Sequence, residues 1–161
     1  MNKTSLLFLI SLISANLFSQ VYKLEQIYGD KATETYLSHW ETLESSIQNQ
    51  PDIFSLWGFH QYFDDWANGA YEVEYFKGNA QQIFKFLSQV VEFTNQYGSE
   101  NNILTYISDV KVKTLKVSLF KYTLVFDKEQ KVACLFNLKQ WNTMLTKFTE
   151  YCENSGIEYK S

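Results

Sequence analysis

His39 and His60 are the only histidines of this chain, and Cys134 and Cys152 its only cysteines. Any acid–base, metal or thiol chemistry therefore has to be built on very few side chains. His60 precedes Asp64 by four residues, which on a helix would put an imidazole and a carboxylate on one face, half of an oriented base or of a weak metal site. A metal centre needs further ligands, and neither histidine stands in a ligand spacing. No metal and no cofactor is expected. Glu72 and Glu74 point the same way on a strand, as its wet face, whereas glycoside hydrolysis needs two acids opposed across a cleft. The chain has no nucleophile elbow, zinc-protease helix, phosphate loop or paired-thiol motif, so no catalytic residue is assigned.

Rings are the more abundant resource. Trp57, Phe59, Tyr62, Phe63, Trp66 and Tyr71 are interleaved with His60, Gln61, Asp64, Asp65 and Asn68. Flat rings beside amides and carboxylates hold sugars or the anchor side chains of a partner, because they bury much area with little loss of rotamer freedom. His60, Tyr62, Asp64, Asp65 and Trp66 form the candidate binding site on this reading. On a helix Tyr62 and Trp66 would share an exposed face while Phe59 and Phe63 turned inward. The competing reading makes most of these rings core, as befits a chain with 17% aromatic residues.

The elements that must position these groups follow from periodicity. Tyr36, Trp40, Leu43 and Ile47 recur at helical intervals after Asp30, an N-cap residue type, and Pro51 suits the first turn of a second helical piece reaching Trp66. Tyr71, Val73 and Tyr75 alternate with Glu72 and Glu74 as a strand. Asn79 with Gln82, and Asn137 with Gln140, have the form of capping boxes opening two helices that Gly98 and Gly156 close. Between them Val110 and Val112 alternate with lysines, then Leu115, Val117 and Leu119 take the opposite parity, which predicts a bulge near Thr114. Tyr122 to Phe126, a polar turn at Asp127 to Lys131, and Val132 to Phe136 complete a hairpin. Aligning Asn79 with Asn137 also matches Leu87 with Leu145 and Val90 with Phe148, so two strand-then-helix units resemble one another; a duplication and two helices obeying the same capping rules both account for this. The predicted fold is α+β, an antiparallel sheet of about four strands with helices packed mainly on one face.

If the last helix folds straight back along the preceding strand, Cys152 lies ~21 Å from the turn and Cys134 ~10 Å. That mismatch predicts two buried thiols and no bridge, since a disulfide needs Cα atoms within ~7 Å.

Lys3 followed by the apolar run Leu6 to Ile13 reads as an export signal with Ser19 as the small residue before the cut. The expected division is a signal peptide over 1–19 and a single α+β domain over 20–161. The protein is then secreted or periplasmic. No cysteine stands near the cut to take a lipid, so no stable membrane anchor is expected. The chain has no arginine and a net charge of −4. Nucleic acid is excluded as a partner on that ground, and anionic membrane surfaces are disfavoured likewise. The function that remains is non-catalytic binding, to a protein partner or, as the alternative, to a glycan such as peptidoglycan; a small hydrolase of unfamiliar type ranks behind both. Mass spectrometry of the native N-terminus in the exported fraction should find a chain beginning at Gln20; an intact Met1 chain in the cytoplasm would overturn the export reading.

Overall fold

The computed structural model describes residues 22–42, 52–63 and 68–160. In chain order the elements are β1 (Tyr22–Asp30), β2 (Thr35–Thr42), β3 (Ile53–Phe63), β4 (Asn68–Gly78), α1 (Ala80–Tyr97), β5 (Leu104–Ile107), β6 (Val110–Val117), β7 (Phe120–Phe126), β8 (Ala133–Phe136) and α2 (Leu138–Ser155). Each strand pairs antiparallel with its sequence neighbour, giving two four-stranded meanders, β1-β2-β3-β4 and β5-β6-β7-β8, each followed by a helix. The protein is a mixed α/β structure built from the same four-strand-and-helix unit twice. The faint match between Asn79 and Asn137 thus marks the helix start of each unit. The expected single sheet of about four strands is two sheets.

The extra sheet comes from the segments read as helical. Thr35–Thr42 is a strand paired on both sides, with Leu37 opposite Leu56 and His39 opposite Phe54. Ile53–Phe63 is a strand as well, and Asp30 caps a turn instead of a helix, its Oδ1 accepting from Ala32 N at 2.9 Å and Thr33 N at 3.1 Å. The misreading has a definite cause. Tyr36 and Trp40 are four apart, an interval that keeps two side chains together on a helix and on a strand alike, because four is an even number. Aromatic and β-branched residues fill the segment and decide for the strand. Leu43 and Ile47 lie outside the described residues.

Both capping boxes are formed: Gln82 N donates to Asn79 Oδ1 at 2.9 Å, Gln140 N donates to Asn137 Oδ1 at 3.0 Å, and each glutamine side chain accepts from the cap backbone. Gly98 and Gly156 end the helices, Gly156 at φ 68°, a left-handed conformation that glycine adopts without strain. No register shift interrupts β6 and β7, so the bulge expected at Thr114 is absent; Val112 and Thr114 simply take the inward positions. A bulge sits in β4 instead, between the pairs Leu56–Phe76 and Trp57–Glu74. It lets Tyr75 and Phe76 both reach the core side, Phe76 stacking on Phe86 at 4.2 Å.

The helices pack on each other and on both sheets, α1 against β3 to β7 and α2 against β1, β7 and β8. Leu37, Phe54 and Leu56 of the first sheet, Val112, Val125 and Phe136 of the second, and Ile83, Trp141 and Phe148 of the helices are fully buried in one cluster. Phe54 meets Phe148 edge-on at 5.3 Å, and Tyr28 meets Phe136 at 6.2 Å, so neither unit keeps a core of its own. Cys134 and Cys152 are buried free thiols. Burial raises the pKa of both, Cys152 to about 11 with Asp52 adding to the effect, which leaves neither an active nucleophile at neutral pH. Replacing Phe148 by alanine should cost about 3–5 kcal/mol. Denaturant unfolding should show both units melting in one lowered transition; a first sheet that outlasts α2 would contradict the shared core.

Candidate functional site

The candidate residues that the structure describes, His60 and Tyr62, lie on the strand β3 and not on a helix. His60 is exposed on β3 opposite Tyr71 of β4, their rings 5.6 Å apart and edge-on. Tyr62 lies on the same strand opposite Gly69. Asp64, Asp65 and Trp66 lie outside the described residues. Phe59, expected inward, is 41% exposed. Strand geometry is the reason: alternation turns Trp57 and Phe59 outward with Tyr36, while Leu56 and Gly58 face in. Gly58 is required there, because a Cβ would stand 2.7 Å from the carbonyl oxygen of Glu34, where the β1–β2 turn crosses β3. Glu74 lies opposite Trp57 and Glu72 opposite Phe59, as the wet face expected of them.

Two other groupings are better formed. The first is the outward face of the second sheet. Register places Leu104, Lys113, Leu124 and Leu135 in one row across all four strands, flanked by the row Tyr106–Lys111 and by the pairs Leu115–Tyr122 and Val117–Phe120. Leu104, Tyr106 and Leu135 are exposed, although the inner face of the same strands already supplies the core. Contiguous apolar surface on the wet side of a sheet marks a contact site far more often than isolated exposed residues do. The Lys111 ammonium lies over the Phe126 ring, 4.8 Å from its centroid, a cation–π contact on the same face.

The second grouping surrounds His39, which is 5% exposed between the two units. Its ring stacks on Phe54 at 4.5 Å. Tyr151 of α2 donates its hydroxyl proton to Glu25 at 3.0 Å, so at the 2.8 Å contact with His39 Nδ1 the tyrosine oxygen accepts and Nδ1 carries a proton. His39 Nε2 lies 3.2 Å from Asp52 Oδ1, off the axis of a directed hydrogen bond. Burial, followed by the Glu25 hydrogen bond and charge, pushes the Tyr151 pKa up to about 12. His39 makes its one hydrogen bond through Nδ1, to Tyr151, while the buried Nε2 rests near Asp52 without one, so the ring joins strand to helix through Tyr151. Among the described residues no three of histidine, cysteine, aspartate and glutamate come together as a metal-ligand set.

The chain matches no protein-family model, no curated protein and no solved structure. The outward apolar face was in fact announced by the reversed parity of Leu115, Val117 and Leu119, which an interior-seeking reading turns into a bulge.

Folding raises the pKa of Tyr151 to about 12 from an ordinary 10.0. The unfolded chain therefore gives up this proton first, and the contribution to stability, complete below pH 10, is lost as the pH rises through 12. A Tyr151→Phe variant should lose about 1–2 kcal/mol at neutral pH. Its stability should also fall less steeply than wild type in that alkaline window, as read by denaturant midpoints against pH.

Proposed function

We propose that this is an exported, non-catalytic binding protein that holds a protein partner against the outward face of its second sheet. The row Leu104–Lys113–Leu124–Leu135 carries the reading: three aliphatic side chains and a lysine stem aligned across the four strands of one sheet, with Tyr106 and Tyr122 beside them. An apolar centre with polar groups around it is the anatomy of a protein contact. The lysines of β6 and β7 favour a partner with carboxylates at its rim.

A glycan is the alternative, and the ladder Tyr36–Trp57–Phe59 on the outward face of the first sheet favours it. Its ring planes are tilted, however, with Tyr36 at 35° and Phe59 at 81° to Trp57. Trp57 also spends its N–H on Ser38 at 3.0 Å. Sugar platforms work through coplanar exposed rings, so this geometry supports the protein partner over the sugar.

A photo-crosslinking residue at Tyr106 should give one discrete adduct in the exported fraction, and the same residue at Lys139 on α2 none. Combining Leu104→Asp with Leu135→Asp should weaken binding by ~2 kcal/mol or more without lowering the melting temperature. Equal adducts from both positions, or binding indifferent to the pair of aspartates, would defeat the reading.

A further inference from the structure

The tip of the β6–β7 hairpin is built unlike the sheet behind it. Strand β5 ends opposite Lys113 of β6 and β8 opposite Thr123 of β7; the chain ahead of β5 still holds β6 as far as Lys116, whose N–H donates to Asn101 Oδ1 at 3.0 Å, so Val117 to Lys121 is the part that projects past both flanks. A two-residue turn, Ser118–Leu119, closes it, with Ser118 at φ 57°. At the point stand Val117, Leu119 and Phe120, exposed by 53%, 89% and 64%. Phe120 stacks on Tyr122 at 6.4 Å. Just behind the point, Lys116 and Lys121 lie directly opposite each other in the register.

Each of these features costs something in water. Like charges directly opposed across two strands repel, and three exposed apolar side chains at a convex tip bury nothing. One environment offsets all of them. At an anionic bilayer surface the apolar point enters the acyl boundary, the lysines reach back to lipid phosphates, and Tyr122 sits at headgroup level with its hydroxyl wet. A convex point needs no shaped pocket to be buried in a fluid medium, whereas a protein partner would have to supply a matching cavity and two carboxylates at one spacing.

The net charge of the chain argues the other way only as long as it is spread evenly, and it is not. Residues 22–100 hold four lysines and twelve carboxylates, residues 101–161 nine lysines and six carboxylates. From Val110 to Phe126 there are four lysines and no carboxylate. Screening at physiological salt confines a charge's influence to roughly 8 Å, so the hairpin tip presents its own cations to a surface and not the average of the molecule. Among the described residues no helix is long and apolar enough to cross a membrane, so the contact is interfacial.

We propose that the β6–β7 hairpin tip, Lys116 to Lys121, is a reversible docking point for anionic lipid surfaces; it borders the face proposed for a protein partner, and the inference is independent of that reading. The test uses the chain from Gln20, which keeps every described strand and helix, with vesicles of equimolar phosphatidylglycerol and phosphatidylcholine and vesicles of phosphatidylcholine alone. Sedimentation should show partition into the anionic vesicles, weakened at least tenfold by Leu119→Asp. The combination of Lys116→Gln and Lys121→Gln should weaken it comparably and flatten its salt dependence. Because these side chains are exposed, each variant should keep the wild-type melting temperature. Partition that is absent, equal in neutral vesicles, or unchanged by Leu119→Asp would overturn the proposal. So would a Leu119→Asp variant that loses a protein adduct while keeping its lipid partition.

Discussion

The whole structure depends on α2 lying across the junction of the two units. Phe148 fills the space beside Phe54 of the first sheet, while Trp141, a few turns earlier, closes edge-on over Phe136 of the second at 5.1 Å. Tyr151 then ties His39 to Glu25, and Gln140 reaches Asp30 at 2.9 Å. The three hydrogen bonds join residues more than a hundred positions apart in sequence. These contacts of α2 give the first sheet a cover that its own unit cannot supply in full, since α1 is also engaged with β5 to β7. A small meander with one uncovered face is marginal in water, and two such units sharing helices solve the problem for both.

That arrangement also decides which surfaces remain for function. Helices occupy the inward faces of both sheets, so the outward faces and whatever projects beyond them are the sheet surfaces left open to solvent. The first sheet uses its outward face for tilted rings, buried serines and carboxylates, with Ser38 and Ser55 sealed beneath Trp57 and Glu74 by hydrogen bonds. The second leaves aliphatic residues and lysines there, and the two units divide the charge of the molecule unequally. A protein with opposite electrostatic character at its two ends orients itself before contact, which influences encounter more than final affinity.

Buried polar groups show the same division of labour. Thr94 of α1 donates to the carbonyl of Val90 at 2.7 Å, and its hydroxyl meets that of Thr123 on β7 at 2.8 Å, pinning helix to sheet inside the apolar cluster. Thr114, at the position read as a bulge, accepts from Ile103 N at 2.9 Å and extends the pairing of β6 beyond β5. A threonine on the inward face of a strand looks like a fault in the apolar alternation, yet here its hydroxyl has a specific donor. The expectation of a bulge failed because parity counts apolar residues only.

Local chemistry was legible from the sequence wherever one segment settles its own conformation. Both capping boxes, the glycine stops and the polar turn at Asp127 to Lys131 are in place, because each is decided by hydrogen bonds or backbone freedom within a few residues, and the alternating strand at Tyr71 to Tyr75 is in place as well. The free state of the two cysteines followed from the unequal rise of strand and helix. What required the tertiary structure was every choice between two locally allowed outcomes. Thr35–Thr42 and Ile53–Phe63 carry residue spacings compatible with helix and strand, and pairing with β1 and β4 chose the strand. Which face of β6 and β7 is core was chosen by where α1 and α2 lie. That His39 meets Tyr151, and that the lysines of β6 and β7 gather behind one exposed apolar point, depend on register and docking across the chain, and no count of residue types contains that information.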